Sequence, residues 1–318
     1  MSKQGDKVIC KACGKEFQTE RQLHAHIKVH NLRVVEYYQK FYPRHDLYDG
    51  KIIKYKTKEQ YLSTDFNSKT SLRMWLKNSE EKDAKSYCEN LLIERKKKKN
   101  LKYTPTQVEM RTVMTPPIQY YDELFDGYYS FCESLGFENK YQKISNITVG
   151  KEYEKPQYSI YVDTREQMPL NFDNYKTEIK TLSVGDYTFS EPKLTCNCHI
   201  ERKSLADFIS TLSVKNFERF EREIQRAEGM EANLIILVED TLTNALSFKY
   251  LPHISKKIKV TPEYIFHNVR LLIQKYPHIQ FLFVNGRKES KRVIQKIFFS
   301  GCAYKKIDLQ YAYDQKVL

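Results

Sequence analysis

The stretch that decides the fold begins with Gly185-Asp186-Tyr187 and ends with Glu201-Arg202-Lys203-Ser204-Leu205-Ala206-Asp207. Fourteen residues separate Asp186 from Glu201. Its acidic side chains supply the hard oxygen ligands that Mg2+ prefers. Glu201 and Lys203 are two residues apart, so on a strand both side chains leave the same face of the sheet. Gly185 allows the backbone to bend beside Asp186. We therefore predict a divalent-cation site on one β-hairpin, with a lysine beside it.

A cation held in this way suits the hydrolysis of a phosphodiester bond. It would offset charge on the reacting phosphate and make a bound water more acidic. The ammonium of Lys203 would orient that water or oppose the charge that builds up in the transition state. Taken alone, two acids and a lysine also fit an ordinary surface hairpin with solvated charges.

Three neighbouring features favour the catalytic interpretation. The apolar run Tyr158–Val162 predicts a buried strand that delivers Asp163-Thr164-Arg165-Glu166 at its end, and a second apolar run, Leu182–Val184, leads directly into Gly185. Asp207 follows Lys203 by about one helical turn, so a helix would carry it back toward the site.

These segments resemble the nuclease domain of XPF-type structure-specific endonucleases. Val162–Glu166, Val184–Tyr187 and Glu201–Asp207 carry the likeness, and the hallmark of that family is G-D-x(n)-E-R-K-x3-D. The resemblance covers residues 156–304. It implies an α/β restriction-endonuclease-like core and metal-dependent cleavage of branched DNA, such as flaps, forks and junctions, in repair, recombination or replication.

The resemblance also implies roles for individual residues. Asp186 and Glu201 would bind Mg2+ or Mn2+, and Lys203 would assist the water. Asp163 would hold the metal or one of its waters, and Asp207 would support the site. Arg165 and Arg202 would face phosphates or brace the carboxylates. Family nucleases commonly pair, which implies a homodimer through the nuclease domain. The alternative is a non-catalytic DNA-binding or scaffold protein that retains a nuclease fold, although the intact acids and lysine favour the enzyme.

The sequence downstream of the hairpin alternates between helical and strand patterns. Asn233–Val238 is a continuous apolar run, which is typical of a strand covered on both faces. Thr261 is a helix cap followed by proline in the first turn. Helices are predicted at 206–212, 216–230 and 289–299, and a further strand at 279–284. We therefore predict a mixed sheet sandwiched by helices.

The amino-terminal segment carries a second metal-binding pattern. Cys10 and Cys13 precede His26 and His30 with the spacing C-x2-C-x12-H-x3-H. Two thiolates and two imidazoles form a closed tetrahedral set for Zn2+, and a unit of this size cannot bury a sufficient core without one. Residues 1–32 therefore resemble a ββα Cys2His2 zinc finger with a structural Zn2+.

The partner of this finger remains open between DNA and protein. By analogy with fingers that read the major groove, Gln22 would face the bases, with Arg21 nearby. Gln22 can pair with adenine, but one finger covers only about three base pairs. We expect weak DNA tethering, with a protein-contact role as the alternative.

The composition agrees with a nucleic-acid partner. The chain has 53 Lys+Arg against 40 Asp+Glu, a net charge of +13, which favours contact with phosphates. The densest basic cluster, Arg95–Lys99, fits either a solvated helix end or a DNA-facing patch. Seven cysteines, two of them assigned to zinc, and no signal peptide or membrane-spanning run predict a reducing intracellular compartment: the cytoplasm, or the nucleus in a eukaryotic host.

Residues 33–155 are predicted to form a mostly helical, tyrosine-rich module. Aromatic residues interleaved with lysines fit either a packed helical module or a surface that binds single strands. Helices are predicted at 36–42, 71–77, 80–98, 105–113 and 118–135, and residues 305–318 form a C-terminal tail. The compact arrangement of finger and helices is typical of viral or phage proteins.

Overall fold

The computed structural model describes residues 8–43, 54, 57–58, 61, 79–112, 116–144, 159–172, 175–189, 197–252, 254–255 and 258–318. The chain divides into two compact units. The first comprises Met1–Tyr87 with Met114–Pro116, and the second comprises Cys88–Val113 with Pro117–Leu318. The helix predicted at 71–77 lies outside the described residues.

The first unit begins with a short hairpin and a helix. Strands β1 (Val8–Ile9) and β2 (Glu16–Phe17) pair antiparallel and lead into helix α1 (Glu20–Ile27). Thr19 caps this helix by accepting a hydrogen bond from the backbone N–H of Gln22. A second helix, α2 (Val34–Phe41), follows and corresponds to the helix predicted at 36–42.

The β1–β2 hairpin, α1 and helix α2 share one small core. Cys10, Leu23, Ile27 and Tyr37 are buried together. The hydroxyl of Tyr37 also accepts a hydrogen bond from the backbone N–H of Lys11 at 2.6 Å, which ties α2 to the cysteine loop. The four side chains of this cluster provide little hydrophobic stabilisation, and Val35 is the one other buried apolar side chain between residues 8 and 43.

A six-stranded mixed sheet forms the centre of the second unit. Its strands are β3 (Ile160–Asp163), β4 (Thr177–Lys180), β5 (Tyr187–Phe189), β6 (Cys198–Lys203), β7 (Asn233–Val238) and β8 (Ile279–Phe283), in the spatial order β4-β3-β5-β6-β7-β8. Strand β5 runs antiparallel to both β3 and β6, and the other neighbours are parallel. The predicted mixed sheet and the pairing of β5 with β6 are therefore confirmed.

The other described helices follow in chain order. They are α3 (Glu81–Lys99), α4 (Gln107–Thr112), α5 (Ile118–Phe125), α6 (Tyr128–Ser134), α7 (Leu205–Thr211), α8 (Phe217–Gly229), α9 (Leu242–Leu246), α10 (Pro262–Lys275), α11 (Gly286–Phe299) and α12 (Leu309–Asp314). Within the described part of the chain, none of them has both the length and the apolar character needed to cross a membrane.

Alternate residues of β7 enter two different cores, as expected for a strand covered on both faces. Leu234 and Ile236 face a core built with α7, α8 and α10. Ile235 and Leu237 face a core built with α11 and with the residues that follow it. This arrangement follows from the period of two along a strand, and it confirms the predicted sandwich of helices around the sheet.

The residues predicted as a C-terminal tail form helix α12 within the second unit. Leu309 and Ala312 are fully buried. The carboxylate of Asp308 accepts a hydrogen bond at 2.6 Å from the backbone N–H of Gln107, and Arg111 pairs with Asp314 at 3.0 Å. Helix α4 and the C-terminal segment are thus joined by buried polar contacts. The domain limits predicted at residues 32, 155 and 304 stay predictions.

The helix predicted at 118–135 is interrupted. Asp126 and Gly127 have φ angles of 54° and 139°, which lie in the left-handed region and end helix α5 before α6 begins. Aspartate and glycine adopt this region more readily than other residues, so this Asp-Gly pair was the signal for the break. The last predicted helix begins at Gly286, three residues before the predicted start at Glu289.

Candidate functional site

A cavity of about 370 Å³ lies beside the β5–β6 pair. Its wall brings together five of the residues selected from the sequence: Arg165, Asp186, Glu201, Lys203 and Asp207. They come from the end of β3, the start of β5, the end of β6 and the first turn of α7. Residues up to 42 positions apart in the chain therefore meet in one place.

Backbone hydrogen bonds hold Asp186 at the cavity. Its N–H donates to the carbonyl of Ile200 at 2.8 Å, and its Oδ2 accepts from the backbone N–H of Arg202 at 2.7 Å. Both contacts come from the neighbouring strand β6. The register of the two strands therefore fixes the direction of this carboxylate.

Gly185, the residue before Asp186, lets the backbone of β6 approach closely. Its φ is 71°, and a Cβ placed on it would lie 2.9 Å from the carbonyl oxygen of Ile200. We expect Gly185→Ala to displace Asp186 and to lower the free energy of unfolding by about 3 kcal/mol, because backbone strain and a backbone clash add. Denaturant unfolding measures the loss of stability, and an assay for the predicted DNA cleavage measures the displacement of Asp186.

Gly286→Ala is the matched control for this substitution. Gly286 has a similar φ of 77°, but no atom lies within 4 Å of a Cβ built there. It therefore isolates the cost of the φ angle, which we expect to be about 1 kcal/mol. Equal losses in the two variants would contradict the role of the Ile200 contact.

Glu201 and Lys203 form an ion pair on the cavity side of β6. Their Oε1 and Nζ atoms are 2.7 Å apart, and the two side chains are only 13% and 12% exposed. The ammonium also lies 5.4 Å from the centre of the Phe220 ring on α8. A cation over an aromatic face is stabilised, so Lys203 is held from two sides.

The cavity carries an excess of negative charge. Burial and the charge of Glu201 raise the pKa of Asp186 to about 7. The same two causes raise the pKa of Glu223, which projects from α8. Within the described residues, Oδ1 of Asp186 and Oε2 of Glu201 accept no hydrogen bond. Two carboxylates with free oxygens, in a cavity where burial and like charge raise the pKa of Asp186, fit a divalent cation whose charge would relieve this repulsion.

Asp163 is not part of the cavity wall. Its side chain is 1% exposed, and its two oxygens accept hydrogen bonds from Arg165 Nε at 2.6 Å and from the backbone N–H of Leu182 at 2.7 Å. Arg165 lowers the pKa of Asp163 through this contact. Asp163 therefore fixes Arg165 in this structure, and its role in holding the metal or one of its waters stays a prediction.

Arg202 points away from Asp186 and Glu201. Its guanidinium donates to Glu166 at 2.9 Å and to Glu239 at 2.7 Å, and the side chain is 11% exposed. The period of two along β6 places Arg202 opposite its neighbours in sequence. The residue reaches the site only through its backbone N–H, and the structure does not bring its side chain to the predicted catalytic position.

Asp207 lines the cavity in the first turn of α7. Its carboxylate accepts a hydrogen bond from the Ser204 hydroxyl at 2.6 Å, and its backbone N–H donates to that hydroxyl at 3.1 Å. This reciprocal contact caps the helix. It also holds the carboxylate at the entrance of the cavity.

Sequence reasoning missed the contribution of α8. Asn216, Arg219 and Glu223 line the cavity together with Phe220. The signal was present, because Phe220 and Ile224 repeat at helical spacing and Arg219 and Glu223 are four residues apart on the flank of that stripe. Periodicity predicted the helix, but it did not predict which flank borders the cavity.

The first unit contains a separate group of metal-ligand atoms. One atom each from Cys10, Cys13, His26 and His30 lies within 4.8 Å of the others, and no other such group of three or more occurs among the described residues. Sγ of Cys13 is 3.3 Å from Nε2 of His26, and Sγ of Cys10 is 3.5 Å from Nε2 of His30. Such separations suit the edges of a tetrahedron around one metal ion.

The two predicted DNA contacts of the finger lie on α1. Arg21 is exposed and forms no hydrogen bond or ion pair with a described residue. Gln22 is also exposed, and its side-chain oxygen accepts from the backbone N–H of Gln18 at 2.9 Å. Their contact with DNA stays a prediction.

Comparison with known proteins identifies the region around the cavity. Residues 162–297, less than half of the chain, match the ERCC4 domain family. A structure of XPF from Aeropyrum pernix in complex with DNA is similar at 19% identity and a TM-score of 0.33, over 44% of this chain. The matched region spans 62% of that structure. No curated protein sequence matches. The family match by itself confirms the predicted resemblance to XPF-type nucleases over residues 162–297.

Proposed function

We propose that this chain, whose residues 162–297 are an ERCC4 domain, is a DNA endonuclease that depends on a divalent cation. One observation carries the proposal: Asp186 and Glu201 line one cavity with the paired Lys203, and each carboxylate keeps an oxygen without a hydrogen bond from the described residues. A scaffold that only retained this fold would not need a destabilising pair of acids.

In this proposal Asp186 and Glu201 hold Mg2+ or Mn2+. When bound, the cation would neutralise charge on the reacting phosphate and acidify water. Glu201 would then turn toward it, and Lys203 would be released from the ion pair to orient water or to face the phosphate. Hydrolysis joins the water oxygen to phosphorus and breaks the bond to the 3′ oxygen, which takes up a proton. The products carry a 5′-phosphate and a 3′-hydroxyl.

Two arginines at the cavity are suited to hold the phosphate backbone. Asp163 fixes Arg165 through a two-point contact, although the arginine side chain itself stays 68% exposed. Arg219 reaches the same cavity from α8. A guanidinium presents paired donors that match phosphate oxygens, so both residues would orient the strand. We propose branched or otherwise distorted DNA as the substrate, in repair, recombination or replication.

We also propose that Cys10, Cys13, His26 and His30 hold a structural Zn2+. The set is closed, because two thiolates and two imidazoles fill a tetrahedron. The exposed face of α1 would then tether the protein to DNA through Arg21 and Gln22. A single finger gives little sequence selectivity, so its contribution would be affinity.

Pairing of two copies through the ERCC4 region is a further part of the proposal. So are a reducing intracellular location, a viral or phage origin and the domain limits at residues 32, 155 and 304. Free thiols are needed at Cys10 and Cys13 for zinc, and a reducing compartment supplies them.

A cleavage assay tests the proposed activity. Purified protein is incubated with end-labelled duplex, fork, flap, bubble and four-way junction, each with Mg2+, Mn2+ or no divalent cation. We expect cleavage of at least one branched substrate with Mg2+ or Mn2+ and none without them. The absence of cleavage on every substrate would favour a non-catalytic DNA-binding scaffold.

A further inference from the structure

Three arginines form a row along the outer face of α8. Arg219, Arg222 and Arg226 are exposed, and their spacing of three and four residues places them on one side of the helix. Arg219 also lines the cavity. The row, which we call the arginine track, therefore begins at the proposed active site and leads away from it toward the end of α8.

The guanidinium groups of the arginine track are not engaged in short contacts within the described residues, although the charge of Arg226 acts on the carboxylate of Glu223. None of the three forms a hydrogen bond or an ion pair there. The acids on the same helix are used differently: Glu221 pairs with Lys275 at 2.7 Å, and Glu223 borders the cavity. Glu218 precedes Arg222 by four residues, but the structure shows no contact, and such exposed helical pairs contribute only about 0.5 kcal/mol.

The spacing of the arginine track agrees with that of phosphates on one strand. A helix rises about 1.5 Å per residue, so Arg219 and Arg226 are separated by roughly 10 Å along its axis. Successive phosphates of one strand are about 3.4 Å apart along the axis of B-DNA. The long, flexible arginine side chains can bridge differences between the spacing on the helix and the spacing of the phosphates. The track therefore covers about three phosphates.

The position of the track favours DNA over an acidic protein as its partner. It continues directly from a cavity whose wall carries Arg165, Lys203 and Arg219, and these residues would hold the phosphate to be cut. Guanidinium groups without internal partners bind phosphate oxygens with paired donors. Nothing apolar interrupts the outer face of α8 between Arg219 and Arg226, as expected for a surface that follows a wet phosphate backbone.

We propose that Arg222 and Arg226 bind the phosphates of the cleaved strand on one side of the scissile bond, as the continuation of Arg219. This inference rests on the proposed function, because the cavity gives the track its starting point. The DNA strand must then continue without interruption on the side of the scissile bond that the track binds. This requirement contributes to the choice of substrate.

Binding is measured in an Asp186→Asn background, so that DNA stays intact and binding is scored apart from cleavage. The Arg222→Ala/Arg226→Ala variant is compared with its parent for the dissociation constant of duplex and fork DNA at several salt concentrations. We expect affinity to fall about tenfold, and the slope of log affinity against log salt to become shallower by about 2, one for each lost phosphate contact. An unchanged slope would overturn the proposal.

Lys288→Ala/Lys306→Ala is the charge-matched control. Both lysines are exposed, and they belong to the segment that packs on the other face of the sheet from α8. The control removes the same two charges, so a general effect of net charge would weaken binding equally. Equal losses in the two double variants would contradict a specific track.

Neutral phosphates locate the contact on the DNA. Single methylphosphonates are introduced at successive positions on both sides of the scissile bond. We expect two positions on one side to weaken binding by the parent, and the same positions to have no effect on the Arg222→Ala/Arg226→Ala variant. Additive losses at every position would overturn the proposal, even if the protein cleaves DNA.

Discussion

An Asp186→Asn variant is expected to cleave DNA about a thousandfold more slowly than the parent protein, while its fold becomes more stable. The amide keeps the shape of the side chain and can still accept the hydrogen bond from the backbone N–H of Arg202. It removes one of the two negative charges proposed to hold the cation. A loss of about 4 kcal/mol of transition-state stabilisation corresponds to this change in rate.

The gain in stability follows from the pKa of Asp186. Burial and Glu201 raise this pKa to about 7 in the folded protein, above its usual value near 3.9. The folded state therefore binds more protons than the unfolded state, and the free energy of unfolding falls as the pH rises from about 4 through 7. Asparagine carries no such penalty. We expect the variant to be about 2 kcal/mol more stable at pH 8 without divalent cations.

Denaturant unfolding at pH 5 and pH 8, without added divalent cation, measures this difference, which should be larger at pH 8. Glu218→Gln is the matched control, because it removes an exposed carboxylate from α8 that does not line the cavity. Lys203→Ala should also lose cleavage. If both Asp186→Asn and Lys203→Ala cut DNA at the parental rate, the chemistry lies elsewhere.

A Cys13→Ser variant is expected to lose the folded structure of residues 8–43 and to leave the second unit folded. Cys13 is exposed, so the substitution removes a proposed metal ligand without disturbing the core. Zinc would contribute on the order of 10 kcal/mol to such a unit, more than the small cluster of Cys10, Leu23, Ile27 and Tyr37 provides. Hydrogen exchange should show protection lost over residues 8–43 and retained in β6 and β7.

His24→Gln separates the ligand role from general destabilisation. His24 lies on the same helix as His26, but it does not belong to the Cys/His group; it shares a hydrogen bond with the Tyr38 hydroxyl at 3.0 Å and packs edge-on against the Tyr38 ring. Its loss should cost about 1 kcal/mol and leave one zinc ion per protein. A Cys13→Ser variant that kept both its protection and its zinc would rule out the finger.

The elements of the sheet could be predicted because each depends on residues close together in the chain. Asn233–Val238 is apolar at every position after the first, and a strand with such a pattern is buried on both faces wherever it pairs. Thr261-Pro262 marks the start of α10 for an equally local reason, since its cap is made within one turn. Strand β4 escaped prediction, because three of its four side chains are exposed and provide no apolar pattern.

The site was only partly predictable. The face of the strand from which a side chain projects follows from its position in the strand, but the residues that it contacts come from distant parts of the chain. Glu201 and Lys203 had to share a face of β6, and Arg202 had to point to the opposite one. The side chain of Arg202 then met Glu166 and Glu239, which are 36 and 37 residues away in the chain. No local pattern indicates those partners.

The sequence by itself determined the acid–lysine hairpin, the four finger ligands and the alternation of strands and helices, since these follow from spacing and periodicity. Only the tertiary structure decided that Asp163 lies outside the cavity wall and fixes Arg165, and that Glu223 and Arg219 line the cavity. It alone also decided that residues 309–314 are a buried helix. The reason is physical: burial and pairing depend on which distant segments pack together, and that depends on the free energy of the whole fold.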